Sequence, residues 1–275
     1  ALNKLLQMTK RKLLCQNADE DVNKDSKLLS HQDGPYETVI LEQTIVKIGA
    51  LLAQGFGEAG TKIIADNMAK TQGNVDPMIP GNKVVAIFGF CDIRSFTKLT
   101  NVLQERIIVF VNEIADIVHG TVDKFSGAAN KNIGNSFLLV WKFEEEDTVF
   151  DAGRGNQVPI HDSARVRQLA DMSVISFLKI LAQIKKSYYL DKFMRRKEVI
   201  RKLKANKVNM GFGLHTGWAI EGAIGSDFKI DASYLSPNVN LASRMQAATV
   251  QYGLPILISG ELFKILTKQT QSFMR

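Results

Sequence analysis

An aspartate, Asp92, lies where an apolar, strand-like run gives way to a polar turn and a predicted helix, in residues 89–97 (GFCDIRSFT). A carboxylate at such a junction can bind Mg²⁺ or Mn²⁺, because these cations prefer oxygen ligands. The backbone N–H groups of Phe96 and Thr97 would lie at the positive end of the helix, where phosphate oxygens bind. The stretch predicts a site for a polyphosphate with a divalent cation. A simple helix cap formed by Asp92 is the alternative.

A second group of polar residues lies in residues 229–245 (KIDASYLSPNVNLASRM), where a loop with Ser and Pro leads into a predicted helix. Asn240 and Arg244 are four residues apart, so they share one face of that helix. An amide and a guanidinium on one face can orient a sugar and neutralise a phosphate. Taken alone, this stretch is explained as well by helix capping and a surface salt bridge.

A third pair of polar residues stands at the edge of a buried strand, in residues 130–141 (NKNIGNSFLLVW). Lys131 and Asn135 flank a tight Ile-Gly-Asn turn, and the apolar residues 137–141 follow directly. A charged and an amide side chain beside a buried strand indicate a binding role. The residues of this stretch alone leave the ligand open.

The elements that must position these residues follow from hydrophobic periodicity. The pattern predicts helices at residues 37–72 (interrupted at GFGEAG), 95 to about 119, 163 to about 186, 238–250 and 260–266. It predicts strands at residues 84–90, 121–125, 137–141, 208–214, 218–223 and 255–259, with a turn at 215–217. Two hairpins separated by helices are typical of an α+β fold, in which an antiparallel sheet carries helices on one face.

Composition sets the class of protein. The chain has 275 residues, 45% hydrophobic and 23% charged, which is ordinary for a globular protein. Two cysteines, Cys15 and Cys91, fit a reducing compartment, and no apolar run approaches the roughly 20 residues of a membrane span. The chain starts at Ala1 and stops inside an amphipathic stretch at Arg275. We expect a cytoplasmic piece of a longer protein, whose membrane anchoring or ciliary location stays open.

Positive charge is concentrated in one segment. The net charge is +7, and residues 185–207 alone carry ten basic and two acidic side chains. Such a run can bind RNA, anionic lipid or acidic protein, or it can form a solvated helix or tether. With only Tyr188 and Tyr189 as interleaved aromatic residues, we expect no nucleic-acid partner.

Four segments, in this order, resemble the motifs of the catalytic domain of class III nucleotidyl cyclases, the adenylyl and guanylyl cyclases. They are FCDIRSFTKLT (residues 90–100), KNIGNSFLLVW (131–141), GFGLHTGWAIEGAIGS (211–226) and KIDASYLSPNVNLASRM (229–245). The resemblance covers residues 82 to about 259, and the long helical lead-in is similar to cyclases of ciliates and other protists. It divides the chain into a polar tether (1–36), a helical lead-in or dimerisation segment (37–80) and a cyclase domain (81–275). That domain contains an insertion at 143–161, and we expect the family's last strands beyond Arg275.

The resemblance implies a fold and a mechanism. The fold is a ferredoxin-like core that pairs head to tail with a homologous cyclase domain, so that each site is built from both chains. One chain supplies two aspartates for two Mg²⁺ or Mn²⁺ ions. The other chain supplies a lysine and a polar partner that read the purine, an asparagine that orients the ribose and an arginine that stabilises charge on phosphate. The reaction converts ATP to cyclic AMP and pyrophosphate.

Five residues match the substrate-binding and catalytic positions of the family. Lys131 matches the base-reading lysine, Asn240 the ribose asparagine and Arg244 the transition-state arginine. Ser233 lies seven residues before Asn240, where adenylyl cyclases usually have Asp or Thr, and Asp231 in the same segment is a further substrate-binding candidate. A hydroxyl at Ser233 can accept a hydrogen bond from an adenine amino group. The set therefore favours ATP, with GTP as the alternative.

The metal positions depart from the family. Asp92 matches the first metal aspartate and Ile93 the carbonyl ligand, but Asn135 occupies the second aspartate position. An amide oxygen can coordinate a hard cation but brings no charge, so metal affinity is expected to fall. We expect either the base-reading half of a heteromeric cyclase, as part of a larger assembly, or a degenerate domain with a scaffold or nucleotide-sensing role. An RNA-binding module is disfavoured, because it leaves the four ordered motifs unexplained.

Overall fold

A computed structural model describes residues 36–71, 74–148, 160–203, 207–226 and 228–274. The predicted polar tether therefore lies outside the described residues except for Tyr36. The central part of the predicted insertion, residues 149–159, also lies outside them. An isolated bridge between Thr148 and Ile160 joins the two described ends of that insertion.

The helices and strands alternate along the chain in the order that an α+β fold requires. The helices are α1 (Tyr36–Lys70), α2 (Phe96–Leu103), α3 (Ile107–Lys124), α4 (Ala164–Lys186), α5 (Tyr188–Met194), α6 (Lys197–Leu203), α7 (Pro237–Tyr252), α8 (Gly260–Ile265) and α9 (Lys268–Ser272). The strands are β1 (Asn82–Ile93), β2 (Ala128–Ile133), β3 (Ser136–Lys142), β4 (Met210–Ser226), β5 (Lys229–Leu235) and β6 (Ile256–Ile258). Single 3₁₀ turns occur at Gln104–Arg106 and Glu145–Asp147.

The sheet is centred on β1. Its strands lie in the order β2-β3-β1-β4-β5 with antiparallel neighbours, and the short β6 pairs parallel with β4. The run from Val84 to Cys91 is buried throughout, as its continuous apolar sequence predicts for a strand covered on both faces. These observations confirm the predicted α+β fold with an antiparallel sheet and a helical segment before it.

Alternate residues of β1 point into two separate cores. Val85 and Ile87 pack with α3 and α4, the helices that were predicted to cover one face. Ala86 and Phe88 face the other side, where they pack with the end of α1 and with α7. The second face of the sheet is therefore covered as well.

The sheet curls until its two edges meet. Strands β2 and β5 are the outer strands of the order given above, yet the amide of Asn130 donates a hydrogen bond to the carbonyl of Ala232 (3.3 Å). Beside it, Lys131 and Asp231 form an ion pair with 2.7 Å between Nζ and Oδ2. The curl brings residues 100 positions apart in the chain to one rim.

Helix α1 is broken at Gly57, where φ is 68° and ψ is 177°. Its two halves confirm the predicted interruption at GFGEAG. A side chain at this position would lie 2.6 Å from the carbonyl oxygen of Ala129 on β2, so glycine allows α1 to cross the curled sheet closely.

The outer half of α1 corrects one expectation. Residues Thr38–Gly57 form a helix of 20 residues that is long and apolar enough to cross a membrane, by length and composition alone, and none of it is buried. The sequence did not predict a membrane-span length here, because Glu42 and Lys47 interrupt the apolar residues. Leu41, Ile45 and Leu51 are among its exposed apolar side chains.

The predicted strand at residues 121–125 is wrong, because these residues end α3. Thr121 and Val122 are buried at the spacing already set by Phe110, Ile114 and Val118, so the helical period continues through them. Their β-branched side chains favour strands in isolation, but packing on the sheet decides for the helix. The single helix predicted from residue 95 is instead divided into α2 and α3 by the 3₁₀ turn.

The predicted turn at residues 215–217 is also wrong. Strand β4 runs without interruption through this point and pairs with β1 along its whole length, from Asn82 to Ile93. Gly217 is needed there for another reason, because a side chain would lie 2.5 Å from the amide carbon of Asn238 on α7. The hairpin lies farther on, between β4 and β5.

Close approach of α7 to β4 predicts that Gly213 tolerates no side chain. A Cβ there would lie 2.3 Å from the backbone nitrogen of Gln246 and 2.4 Å from the carbonyl of Ala242, so Gly213→Ala must displace the helix. We expect a loss of about 1–3 kcal/mol in the free energy of unfolding, measured by urea denaturation. Gly120→Ala is the control, since it lies exposed in α3 with open space around it and should gain about 0.5–1 kcal/mol. Equal stabilities of the two variants would contradict this packing.

Candidate functional site

Asp92 lies near the end of β1, paired in register with Ser136 of β3 and Gly211 of β4. Its Oδ1 accepts hydrogen bonds from Ser136 Oγ (2.8 Å) and from the side-chain amide of Asn135. The N-cap position of α2 belongs to Ser95, three residues later. Asp92 is therefore tied to the β2–β3 hairpin, and the helix-cap alternative is excluded.

Asn135 contacts both oxygen atoms that were predicted to bind metal. Its Nδ2 donates to the Asp92 carboxylate and, at 3.3 Å, to the carbonyl of Ile93. The backbone adds a third link, because Ile93 N donates to Asn135 O at 3.0 Å. An amide N–H group thus lies between the carboxylate and the carbonyl, where the family resemblance places a cation.

The donor set does not fit two divalent cations. Mg²⁺ and Mn²⁺ in such sites are held by several oxygen ligands with negative charge. Asp92 is the one carboxylate that the motif provides, and within the described ranges no group of three His, Cys, Asp or Glu side chains could hold a metal ion. The two oxygen ligands that the motif does provide, the Asp92 carboxylate and the Ile93 carbonyl, both accept hydrogen bonds from the Asn135 amide.

Burial of the carboxyl group raises the pKa of Asp92 above its ordinary value, and the Ser136 hydrogen bond and the charge of Arg94 offset only part of this shift. Arg94 was not predicted as a site residue. Its guanidinium donates to Thr249 Oγ1 (2.8 Å) and to the carbonyl of Leu254 (3.1 Å), which ties the loop after β1 to the end of α7. This link depends on contacts 155 and 160 residues apart, so sequence spacing gave no signal for it.

The turn after Asp92 has a constrained backbone. Ser95 adopts a left-handed conformation, with φ of 57° and ψ of 28°, and its side chain makes no capping hydrogen bond. Such a conformation is uncommon for residues other than glycine and is concentrated at functional sites. Phe96 and Thr97 begin α2 directly afterwards, so their N–H groups lie in the first helical turn, as predicted for a phosphate-binding position.

The predicted base-reading residues meet at the rim where the sheet closes. Lys131 is 23% exposed and pairs with Asp231, which is 48% exposed. Ser233 follows two residues later on β5, so it lies on the same face of the strand as Asp231, and it is buried. The structure therefore brings Lys131 and Asp231 into contact and places Ser233 next to them.

Asn240 and Arg244 lie apart from this cluster. Both are exposed on α7, on the helix face opposite Ala242, which packs on the sheet. Among the described residues, neither side chain forms an ion pair or hydrogen bond with Asp92. One chain therefore presents two groups of predicted site residues that it does not itself bring together.

The start of α7 is fixed by residues that were not predicted to belong to the site. Ser236 caps the helix by accepting from Asn238 N (3.1 Å), and both side chains donate to the carbonyl of Trp218, at 2.6 and 2.8 Å. The Asn238 amide oxygen also lies 3.1 Å from Nε2 of the buried His215. These contacts set the direction in which Asn240 and Arg244 project.

Comparison with known proteins places this geometry in a family. Residues 80–275 match the family model described as the adenylate and guanylate cyclase catalytic domain. Residues 2–69 match a second model, described as the all-helical domain of RasGEFs. The first match includes every predicted site residue.

Individual relatives agree with this match. An adenylate cyclase of Anabaena cylindrica is 25% identical over 180 residues, which are 65% of this chain and 30% of that protein. A terminal-differentiation-specific adenylate cyclase of Dictyostelium discoideum is 26% identical over 178 residues, 64% of this chain and 7% of that protein. A bacterial light-regulated adenylyl cyclase has the same fold, with a TM-score of 0.62 at 22% identity, covering 87% of this chain and 60% of that one. The chain thus spans less than a third of the length of these two sequence relatives.

The Asn135 contacts predict how the site responds to metal. Asn135→Asp places a second carboxylate beside Asp92, so without metal the variant should unfold at a lower temperature than the natural chain. Binding of Mn²⁺ should then stabilise the folded variant by about 2.7 kcal/mol at a hundredfold excess over Kd. Its unfolding temperature should rise accordingly. The natural chain should show little response in the same thermal scan.

A matched control separates the site from a general effect of charge. Asn101→Asp makes the same change at an exposed position of α2 and should leave the Mn²⁺ response as it is in the natural chain. An equal rise for both variants, or a strong Mn²⁺ response of the natural chain, would contradict the interpretation of Asn135.

Proposed function

The chain belongs to the adenylate and guanylate cyclase catalytic-domain family, and on that premise we propose that it is the base-reading half of a composite cyclase site. The proposed reaction converts ATP to cyclic AMP and pyrophosphate at an interface with a homologous cyclase domain. One observation carries the proposal: the Asn135 amide is bonded to Asp92 and Ile93, so this chain lacks a complete metal site. The residues proposed to bind the nucleotide are all present.

The positions of the substrate residues support a site shared between two chains. Asn240 and Arg244 project from α7 into solvent, away from the Asp92 turn of their own chain. Asn240 also borders an open groove of about 410 Å³ whose other walls include Trp218, Leu235 and Val239. A partner domain that retains both metal aspartates would bring the metal ions to this face.

The residues of this chain have distinct proposed roles in the reaction. The ribose 3′-oxygen loses its proton to solvent and forms a bond to the α-phosphorus, while the bond between that phosphorus and the leaving pyrophosphate breaks. Lys131 and Ser233 hold the purine and Asn240 orients the ribose. Arg244 stabilises the negative charge that grows on the phosphate oxygens, a contribution worth about 10²–10³ in rate for one positioned group.

The substrate proposed here is ATP. The hydroxyl of Ser233 can accept a hydrogen bond from the adenine amino group, and the matched sequence relatives are named as adenylate cyclases. Lys131 is held in place by Asp231, which leaves its remaining N–H groups to donate to a ring nitrogen. GTP is the alternative, since the family includes guanylate cyclases.

A scaffold or nucleotide-sensing role within a larger assembly is the second candidate. The hydrogen bonds of Asn135 favour it for a homodimer, because both sites of such a dimer would then lack the second metal carboxylate. The two candidates differ in one respect that can be measured, which is whether a partner with complete metal ligands restores turnover.

The decisive experiment measures cyclic nucleotide formation from ATP and from GTP with Mn²⁺. The chain is assayed alone, as Asn135→Asp, and mixed with a cyclase domain that has both metal aspartates but lacks the base-reading lysine and the transition-state arginine. We expect product from ATP in the mixture or after Asn135→Asp, and little from the natural chain alone. No product in any combination, from folded and associating protein, would favour the scaffold role.

Within an active mixture, Arg244→Ala in this chain should lower kcat by about 10²–10³ with a smaller change in KM, because the arginine acts on charge that develops in the transition state. Arg106→Ala removes an exposed arginine elsewhere and should leave kcat unchanged. A similar loss for both variants would indicate a general effect of charge on association instead.

A further inference from the structure

A strongly basic surface lies on the last turn of α4 and on α5 and α6, outside the proposed cyclase site. Leu190, Met194 and Val199 are buried and attach α5 and α6 to the core of the domain. The residues between and around them point outward. We define the basic surface by its exposed cations: Lys185, Lys186, Lys192, Lys197, Arg201 and Lys202.

These cations are available to an outside ligand. Arg195, the neighbouring arginine, pairs with Asp191 at 2.5 Å. In the described part of the chain, no acidic side chain forms an ion pair with any of the six cations that define the basic surface. Several unpaired positive charges on three consecutive helices attract a ligand with many negative charges.

Apolar side chains are exposed among these charges. Tyr188 is 74% exposed, Tyr189 is 63% exposed and Ile200 is 42% exposed. Tyrosine rings are enriched where proteins meet the headgroup layer of a membrane, and lysine side chains can extend to the phosphates beside them. The two tyrosine rings lie edge to face at 73°, an arrangement that offers no pair of parallel platforms for stacked bases.

The outer half of α1 is a second, independent feature that points to a membrane. Thr38–Gly57 is long and apolar enough to cross a bilayer by length and composition, and most of its side chains before Phe56 are exposed. This helix leads directly into the domain that carries the basic surface. Within the described residues, neither the six cations of the basic surface nor the outer half of α1 is buried by another part of the chain.

We propose that the basic surface binds the anionic phospholipid headgroups of the membrane beside which the domain is held. The ligand chemistry is a layer of lipid phosphates and carboxylates, contacted by the lysines, with Tyr188, Tyr189 and Ile200 at the boundary between headgroups and acyl chains. Anionic lipids are concentrated in the cytoplasmic leaflet, so the binding places the domain on the cytoplasmic side. The proposal is independent of cyclase activity.

The test is co-sedimentation of the full chain with vesicles of phosphatidylcholine alone and of phosphatidylcholine mixed with phosphatidylserine. We expect stronger binding to the mixed vesicles, and this excess should fall with added salt. Lys192→Gln, Lys197→Gln and Lys202→Gln together should weaken binding to the mixed vesicles roughly 100-fold, since each lysine contributes about fivefold. Lys192→Arg, Lys197→Arg and Lys202→Arg together retain the positive charge and should leave binding to the mixed vesicles unchanged.

A control with the same net charge removes three exposed lysines elsewhere: Lys62→Gln, Lys264→Gln and Lys268→Gln. Its binding should stay within about twofold of the natural chain, because these residues lie outside the basic surface. The proposal would be overturned by equal binding to neutral and mixed vesicles that neither triple Lys→Gln variant changes. Such a result would mean that α1 alone partitions into lipid. Salt-dependent retention on RNA without any preference for phosphatidylserine would overturn it as well.

Discussion

The contact between the two edges of the sheet is the constraint on which the rest of the structure depends. A flat sheet in the order β2-β3-β1-β4-β5 would keep Lys131 and Asp231 far apart, at opposite edges. Curling brings them to 2.7 Å and encloses a second core beneath α1 and α7. The ion pair is partly exposed, so its own contribution to stability is small. The curl is held instead by the apolar residues that both faces of β1 bury.

The family resemblance places a carboxylate where this chain has the amide of Asn135, and this difference changes the electrostatics at the end of β1. Two carboxylates in hydrogen-bonding range repel each other and need cations between them. An amide and a carboxylate attract each other, and the half-buried Asp92 accepts a hydrogen bond from Asn135. The side chains of Asn135 and Ser136 thus join the hairpin to the end of β1 by hydrogen bonds.

The residues of the candidate site could be proposed from the sequence, because they lie in short stretches. Asp92, Lys131, Asn135 and Arg244 all lie in segments that match family motifs, and the structure brings Lys131 together with Asp231. The positioning residue Arg94 could not be found this way, since its partners lie 155 or more residues away. The continuity of β4 was missed for the same reason: His215 and Gly217 look like turn residues until α7 is packed against them.

The kink at Gly57 connects the exposed half of α1 to the edge of the sheet. The exposed half of α1 ends at a joint whose backbone touches the carbonyl of Ala129, and Ala129 lies two residues before Lys131. The exposed half of α1 is thus joined, through this kink, to the strand that carries Lys131. A rotation of the exposed half of α1 would therefore act directly on β2, through the contact between Gly57 and Ala129.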